Sequence, residues 1–180
     1  LLVVAGHQTH WFRKLEHTFV PLLAVPHAAV ALGLAFLIAP SGWLVRLLSP
    51  GLTGWHLPPE FVTVQDPWGL ALILGLVLKE TPYLLLMTLA ALPQVRAAAL
   101  VQSGQALGYT AVSAWLRLVL PQLYPLLRLP VFAVLAFSLS VVDVSLILGP
   151  STPPPLAVLI LRWADDPDLQ LRFLAAVGAA

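Results

Sequence analysis

The 180-residue chain is 59% hydrophobic and only 9% charged, whereas an ordinary soluble domain devotes roughly a quarter of its residues to Asp, Glu, Lys and Arg. So few charges cannot clothe a water-soluble surface, and lipid must supply much of the solvent. A formal net charge of +1 with nine dispersed basic residues excludes a nucleic-acid partner, and the absence of cysteine excludes disulfides and thiolate metal sites.

The first segment carries His7, His10 and His17 beside Glu16. Without cysteine or further carboxylates these histidines read as the polar flank of a span, and no metal site is expected. A first transmembrane span is expected over Phe19–Ile38, with Pro21, Pro26 and His27 inside it and no small-residue cleavage site after it that would mark a signal peptide. His27 reads as a helix-packing residue. A loop rich in Pro, Gly and Trp comes next, Pro40–Pro67, holding Glu60 and Asp66. Trp43, Trp55 and Trp68 suit the headgroup layer.

The second span is expected over Trp68–Leu92 and the third over Leu129–Leu148, each meeting the roughly 20 residues that a bilayer demands. An apolar run from Leu171 reads as the start of another span, so the chain is expected to be a single transmembrane domain, incomplete at both ends. Arg13 and Lys14 before the first span, and Arg96, Arg117 and Arg128 after the second, put those flanks on the cytoplasmic side by the positive-inside bias. Asp165, Asp166 and Asp168 read as a solvated acidic turn, lacking the glycine and terminal glutamate of a calcium loop.

Lys79 and Glu80 fall in the middle of the second span, where a charge costs about 2.5 to 3.5 kcal/mol on insertion scales. Adjacent positions diverge by about 100° around a helix, so they cannot satisfy one another well. Depth favours Asp143 as the partner of Lys79: about 16 Å inward from Trp68 for the lysine and about 9 Å from Gly149 for the aspartate, a gap a lysine stem can close. With Ser138, Ser140 and Ser145 these charges could line a polar pathway; the plainer reading is an ion pair that locks two helices.

Between the second and third spans, residues 93–121 read as two short helices joined at Gly108. The glycine takes the left-handed closing position, Thr110 caps the second helix and Pro121 stops it. The run Gly108, nine residues, Leu118-Val119-Leu120-Pro121 resembles the cytoplasmic signature of binding-protein-dependent ABC permeases, Glu-Ala-Ala, three residues, Gly, nine residues, Ile, one residue, Leu-Pro. Gln102-Ser103-Gly104 occupies the Glu-Ala-Ala positions and loses the carboxylate. The segments PLLAVPHAAVALGLAFLIAPSGW and PQLYPLLRLPVFAVLAFSLSVVDVSLILGPSTPPPLAVLILRW are similar to the Ynj-type subgroup, related to the tandem permeases of thiamine and ferric-iron importers.

The resemblance implies an all-α integral membrane fold, a polytopic helix bundle with a cytoplasmic two-helix coupling loop made of Gln102, Ser103, Gly104, Gly108, Arg117, Leu118, Leu120 and Pro121. It further implies a cytoplasmic ABC ATPase dimer, a periplasmic solute-binding protein and a second permease half as partners, in the bacterial inner membrane. No cofactor is expected on this chain, ATP being bound by the partner subunit. No catalytic residue is expected either: Gly-x-Ser-x-Gly, His-Glu-x-x-His and a lysine after a Gly-rich run are all missing. A membrane-embedded enzyme, or a structural or channel subunit without ATPase coupling, is the alternative class.

Overall fold

The structure is a computed structural model that describes residues 21 and 23–179; the histidine-bearing flank and the start of the first span lie outside the described residues. In chain order the helices are α1 (His27–Ile38), α2 (Trp43–Leu48), α3 (Leu70–Ala91), α4 (Ala97–Ala106), α5 (Ala111–Ala114), a π-helical turn (Trp115–Val119), α6 (Leu120–Ser140), α7 (Asp143–Leu148), α8 (Leu156–Asp165) and α9 (Leu169–Gly178). Among the described residues there is no strand. Three stretches are long and apolar enough to cross a membrane, His27–Leu48, Leu70–Ala91 and Ala111–Ser140. Large apolar side chains such as Phe36, Phe132 and Leu139 stand exposed along them, as lipid-facing residues must.

Two boundaries differ from the expectation. The third span does not run over Leu129–Leu148: the helix reaches back unbroken to Ala111 and ends at Ser140, before a break at Val141-Val142. Pro121 therefore does not stop the second loop helix. The physical reason lies just upstream, where the ladder slips into π register and the Leu120 N–H donates to the Trp115 carbonyl five residues back. That slip accommodates an imide that has no N–H and would crowd the carbonyl four residues before it. Thirty residues at about 1.5 Å each make about 45 Å, longer than a hydrocarbon core of about 30 Å.

The chain divides into two compact units, one of Val25–Lys79 with Phe137–Ala180 and the other containing Glu80–Ala136. In the first, Ala31 and Leu34 of α1, Ala71 of α3, Val141, and Val144 and Leu148 of α7 form the buried core. Gly75 permits the closest approach there, since a Cβ would lie 2.6 Å from Leu148 Cδ1. His27 packs its ring on Phe137 with centroids 4.5 Å apart, the helix-packing role expected of it. The preceding loop is tied down by Thr63 Oγ1 donating to the Ile38 carbonyl at 2.6 Å and Gln65 Nε2 donating to the Leu146 carbonyl at 3.0 Å. Asp166 and Asp168 shape the α8–α9 turn, each accepting a backbone N–H two residues on.

Asp66 opens α3. Its two carboxylate oxygens accept the Leu70 and Ala71 N–H groups, each at 2.9 Å, which satisfies two donors that a helix start otherwise leaves orphaned. The Ala71 hydrogen bond is the main reason its carboxyl is held below the ordinary range, against the opposing effect of burial. A depressed carboxylate contributes stability that is complete above its unfolded pKa and disappears as pH falls through the folded value. Asp66→Ala should therefore destabilise by about 1 kcal/mol at neutral pH, as lost helix caps do, and the difference from wild type should begin to shrink below about pH 4 and close only as the pH passes the depressed folded value. Thermal unfolding in detergent across that pH range measures it.

In the second unit, Leu89, Ala91 and Leu92 at the end of α3 meet Ala97 of α4, Val119 of the π turn and Leu123 of α6. The α4–α5 hairpin is thereby bedded on the ends of two long helices.

Candidate functional site: a rigid hairpin and a buried lysine

The hairpin is closed by local chemistry. Gly108 sits at φ +87°; its N–H donates to the Gln105 carbonyl at 3.0 Å and the Tyr109 N–H to the Gly104 carbonyl at 3.0 Å. This paired pattern is a Schellman termination, which favours glycine at the left-handed position. Thr110 then caps α5, its hydroxyl accepting the Ser113 N–H at 3.2 Å. Both local expectations from the sequence hold.

Gly104 has a different task. A Cβ there would lie 2.6 Å from Ala114 Cβ and 2.9 Å from Leu118 Cδ1, so the two arms touch through a glycine that has no room for a side chain. Gly104 and Ala114 are buried, while Gln102, Ser103, Gly108, Arg117, Leu120 and Pro121 are exposed and Leu118 is intermediate. Trp115 and Val119 turn toward the core of the unit, whereas Leu116 is 51% exposed. The Arg117 guanidinium carbon lies 5.6 Å from the Tyr109 ring centroid, a contact that no motif announced. Arg96 begins α4 in the left-handed conformation, φ 48°.

The intramembrane charges do not form the expected pair. Lys79 is 3% exposed and its Nζ donates to the Val25 carbonyl at 2.6 Å. Asp143 is exposed in the first turn of α7, past the break that ends α6, and among the described residues it makes no ion pair with Lys79. Hydropathy runs on smoothly through Val141-Val142, which is why the sequence put Asp143 inside a continuous helix. Glu80 is partly buried at the next position of α3. Ser140 and Ser145 donate to carbonyls of their own chain segment, Phe137 at 3.3 Å and Val141 at 2.7 Å, the back-bonding by which serine hydroxyls are satisfied in apolar surroundings. Among the described residues no group of three or more His, Cys, Asp or Glu could hold a metal ion.

Apolar helices of spanning length and a surface hairpin bedded on them define a multi-pass, all-α integral membrane protein. Over 158 residues the chain is 34% identical to the inner membrane ABC transporter permease protein YnjC of Escherichia coli (strain K12), a match covering 88% of this chain and 29% of that protein. The similarity to an inner-membrane ABC-transporter permease thus runs through most of this chain. The chain spans less than a third of the length of the curated relative it matches. No family model and no solved structure matches it.

Proposed function

We propose that the chain is part of the permease of a bacterial ABC importer, with the α4–α5 hairpin on the cytoplasmic side seated in a groove of a separate ATPase dimer. A periplasmic binding protein delivers a small solute to the spans, and a second permease half completes the pathway. The observation that carries the reading is the hairpin itself. Its turn is fixed by the Gly108 Schellman bonds, its arms are locked through Gly104, and its second arm is continuous with a spanning helix. A push on such an element is passed to the span rather than absorbed in a loop. Closure of the ATPases on nucleotide would then bias the spans between outward- and inward-facing packings. ATP chemistry belongs to the partner in this reading.

Gly108→Val tests it. No atom lies within 4 Å of a Cβ at this position, so the substitution brings no clash and acts through the backbone alone, about 1 to 2 kcal/mol for an L-residue held left-handed, more for a β-branched one. The expected result is a protein that still inserts but releases its ATPase and loses uptake, with Gly108→Asn close to wild type because asparagine tolerates this conformation. Co-purification of the full-length permease with its cognate ATPase, and transport-coupled hydrolysis in vesicles, read the outcome. Unchanged association and coupling in Gly108→Val would sink the importer reading.

A further inference from the structure

We infer that the ATPase groove receiving this hairpin is acidic, presenting carboxylates to Arg117 where it stacks on Tyr109. The inference rests on the docking proposed above and adds the chemistry of the surface that is met.

The charge pattern is one-sided. From Thr81 to Val142 the chain contains no Asp or Glu, and its charged residues are Arg96, Arg117 and Arg128. Gln102 stands exposed at the position where the resembling motif has a glutamate. The hairpin therefore offers a cationic partner surface no carboxylate, and any charge complementarity must run with the negative group on the partner.

The cation is also held ready. Arg117 and Tyr109 are both exposed, and the guanidinium carbon is 5.6 Å from the ring centroid. The main chain of Tyr109 is fixed, because its N–H closes the Schellman turn on the Gly104 carbonyl. A guanidinium already resting against a neighbouring ring loses less freedom on docking than a loose side chain would. Its fork geometry matches a carboxylate through two parallel hydrogen bonds.

Anionic lipid headgroups are the other source of negative charge at this face. Binding to a lipid surface takes a cluster of about four to eight basic residues, whereas α4, α5 and the π turn carry Arg117 alone, with Arg96 at the start of α4. One oriented arginine is a point contact, suited to a side chain across a protein interface.

The test measures affinity of the full-length permease for its cognate ATPase in vesicles of zwitterionic lipid, and again with anionic lipid added. Arg117→Glu should weaken binding by about tenfold or more, Arg117→Lys by about threefold through loss of the fork, and Tyr109→Ala by a similar factor, with Tyr109→Phe near wild type. Wild-type binding should weaken with added salt more steeply than that of Arg117→Glu. A carboxylate-to-lysine change in the ATPase groove should restore Arg117→Glu. Thermal stability of each variant, expected to be unchanged at these exposed positions, separates docking from folding. If Arg117→Glu binds as wild type while Gly108→Val still releases the ATPase, the acidic groove is refuted and docking stands. If neither change matters, docking itself fails and the inference falls with it. A loss confined to anionic vesicles would assign the charge partner to headgroups and overturn the proposal.

Discussion

Lys79→Met should leave a chain that inserts poorly and unfolds early in detergent, with a loss of about 1.5 to 3 kcal/mol, the range for hydrogen bonds made by charged groups. The lysine is buried at 3% exposure, and its ammonium donates at 2.6 Å to the Val25 carbonyl. That carbonyl immediately precedes Pro26, the N-cap of α1, so the bond staples α3 to the place where the first span is broken. Methionine matches the stem in length and supplies no donor, leaving a backbone acceptor in an apolar setting that water cannot repair. The companion experiment is a double-mutant cycle with Asp143→Asn. Because Asp143 is exposed on α7 and does not pair with Lys79, the two changes should add, with interaction energy within about 0.5 kcal/mol. A Lys79→Met protein as stable as wild type would remove the staple, and strong coupling to Asp143 would reinstate the ion pair.

Gly104→Ala is expected to destabilise the hairpin, although alanine is the better helix former. The added methyl would meet Ala114 Cβ at 2.6 Å, and Ala114 is fully buried. Leu118 can swing its tip aside, but Ala114 has no rotamer to offer. The arms must separate, at about 1 to 3 kcal/mol for an overpacked contact. Ala114→Gly in the same chain reopens the space and should recover part of the loss, the remainder being the cost of glycine in a helix. Proteolysis of the hairpin and hydrogen exchange over residues 97–119 report the separation. Protection equal to wild type in Gly104→Ala would show that the arms do not touch through this position.

What the sequence revealed was local in origin. Gly108 and Thr110 could be assigned because a left-handed closure and a helix cap depend on the residue itself and neighbours within five positions. The all-α membrane class was legible for the same kind of reason, since runs of apolar residues longer than a bilayer need no tertiary knowledge. Pro121 misled because a proline's local veto on helix can be absorbed by a slip in the hydrogen-bond ladder, and nothing in the letters Trp-Leu-Arg-Leu-Val marks a π turn. Lys79 misled for another reason. The sequence displays carboxylates and hides carbonyls, so a search for its partner settles on Asp143, whereas the structure places a main-chain oxygen, that of Val25, against the ammonium. Gly104 was noticed as a small residue in a motif position, but the closeness of Ala114 is a long-range fact of how the arms cross.

The π turn at Trp115–Val119 carries a consequence of phase. An extra residue in the ladder rotates the helix on its N-terminal side by about 100° relative to the helix on its C-terminal side. The face that α5 and Arg117 turn outward is therefore indexed to the lipid-facing stripe of α6 by a single inserted position, much as a keyway fixes a gear on its shaft. Removing one residue between Ala114 and Leu120 would leave both pieces helical and apolar in the same places, yet point the hairpin's outward side in another direction.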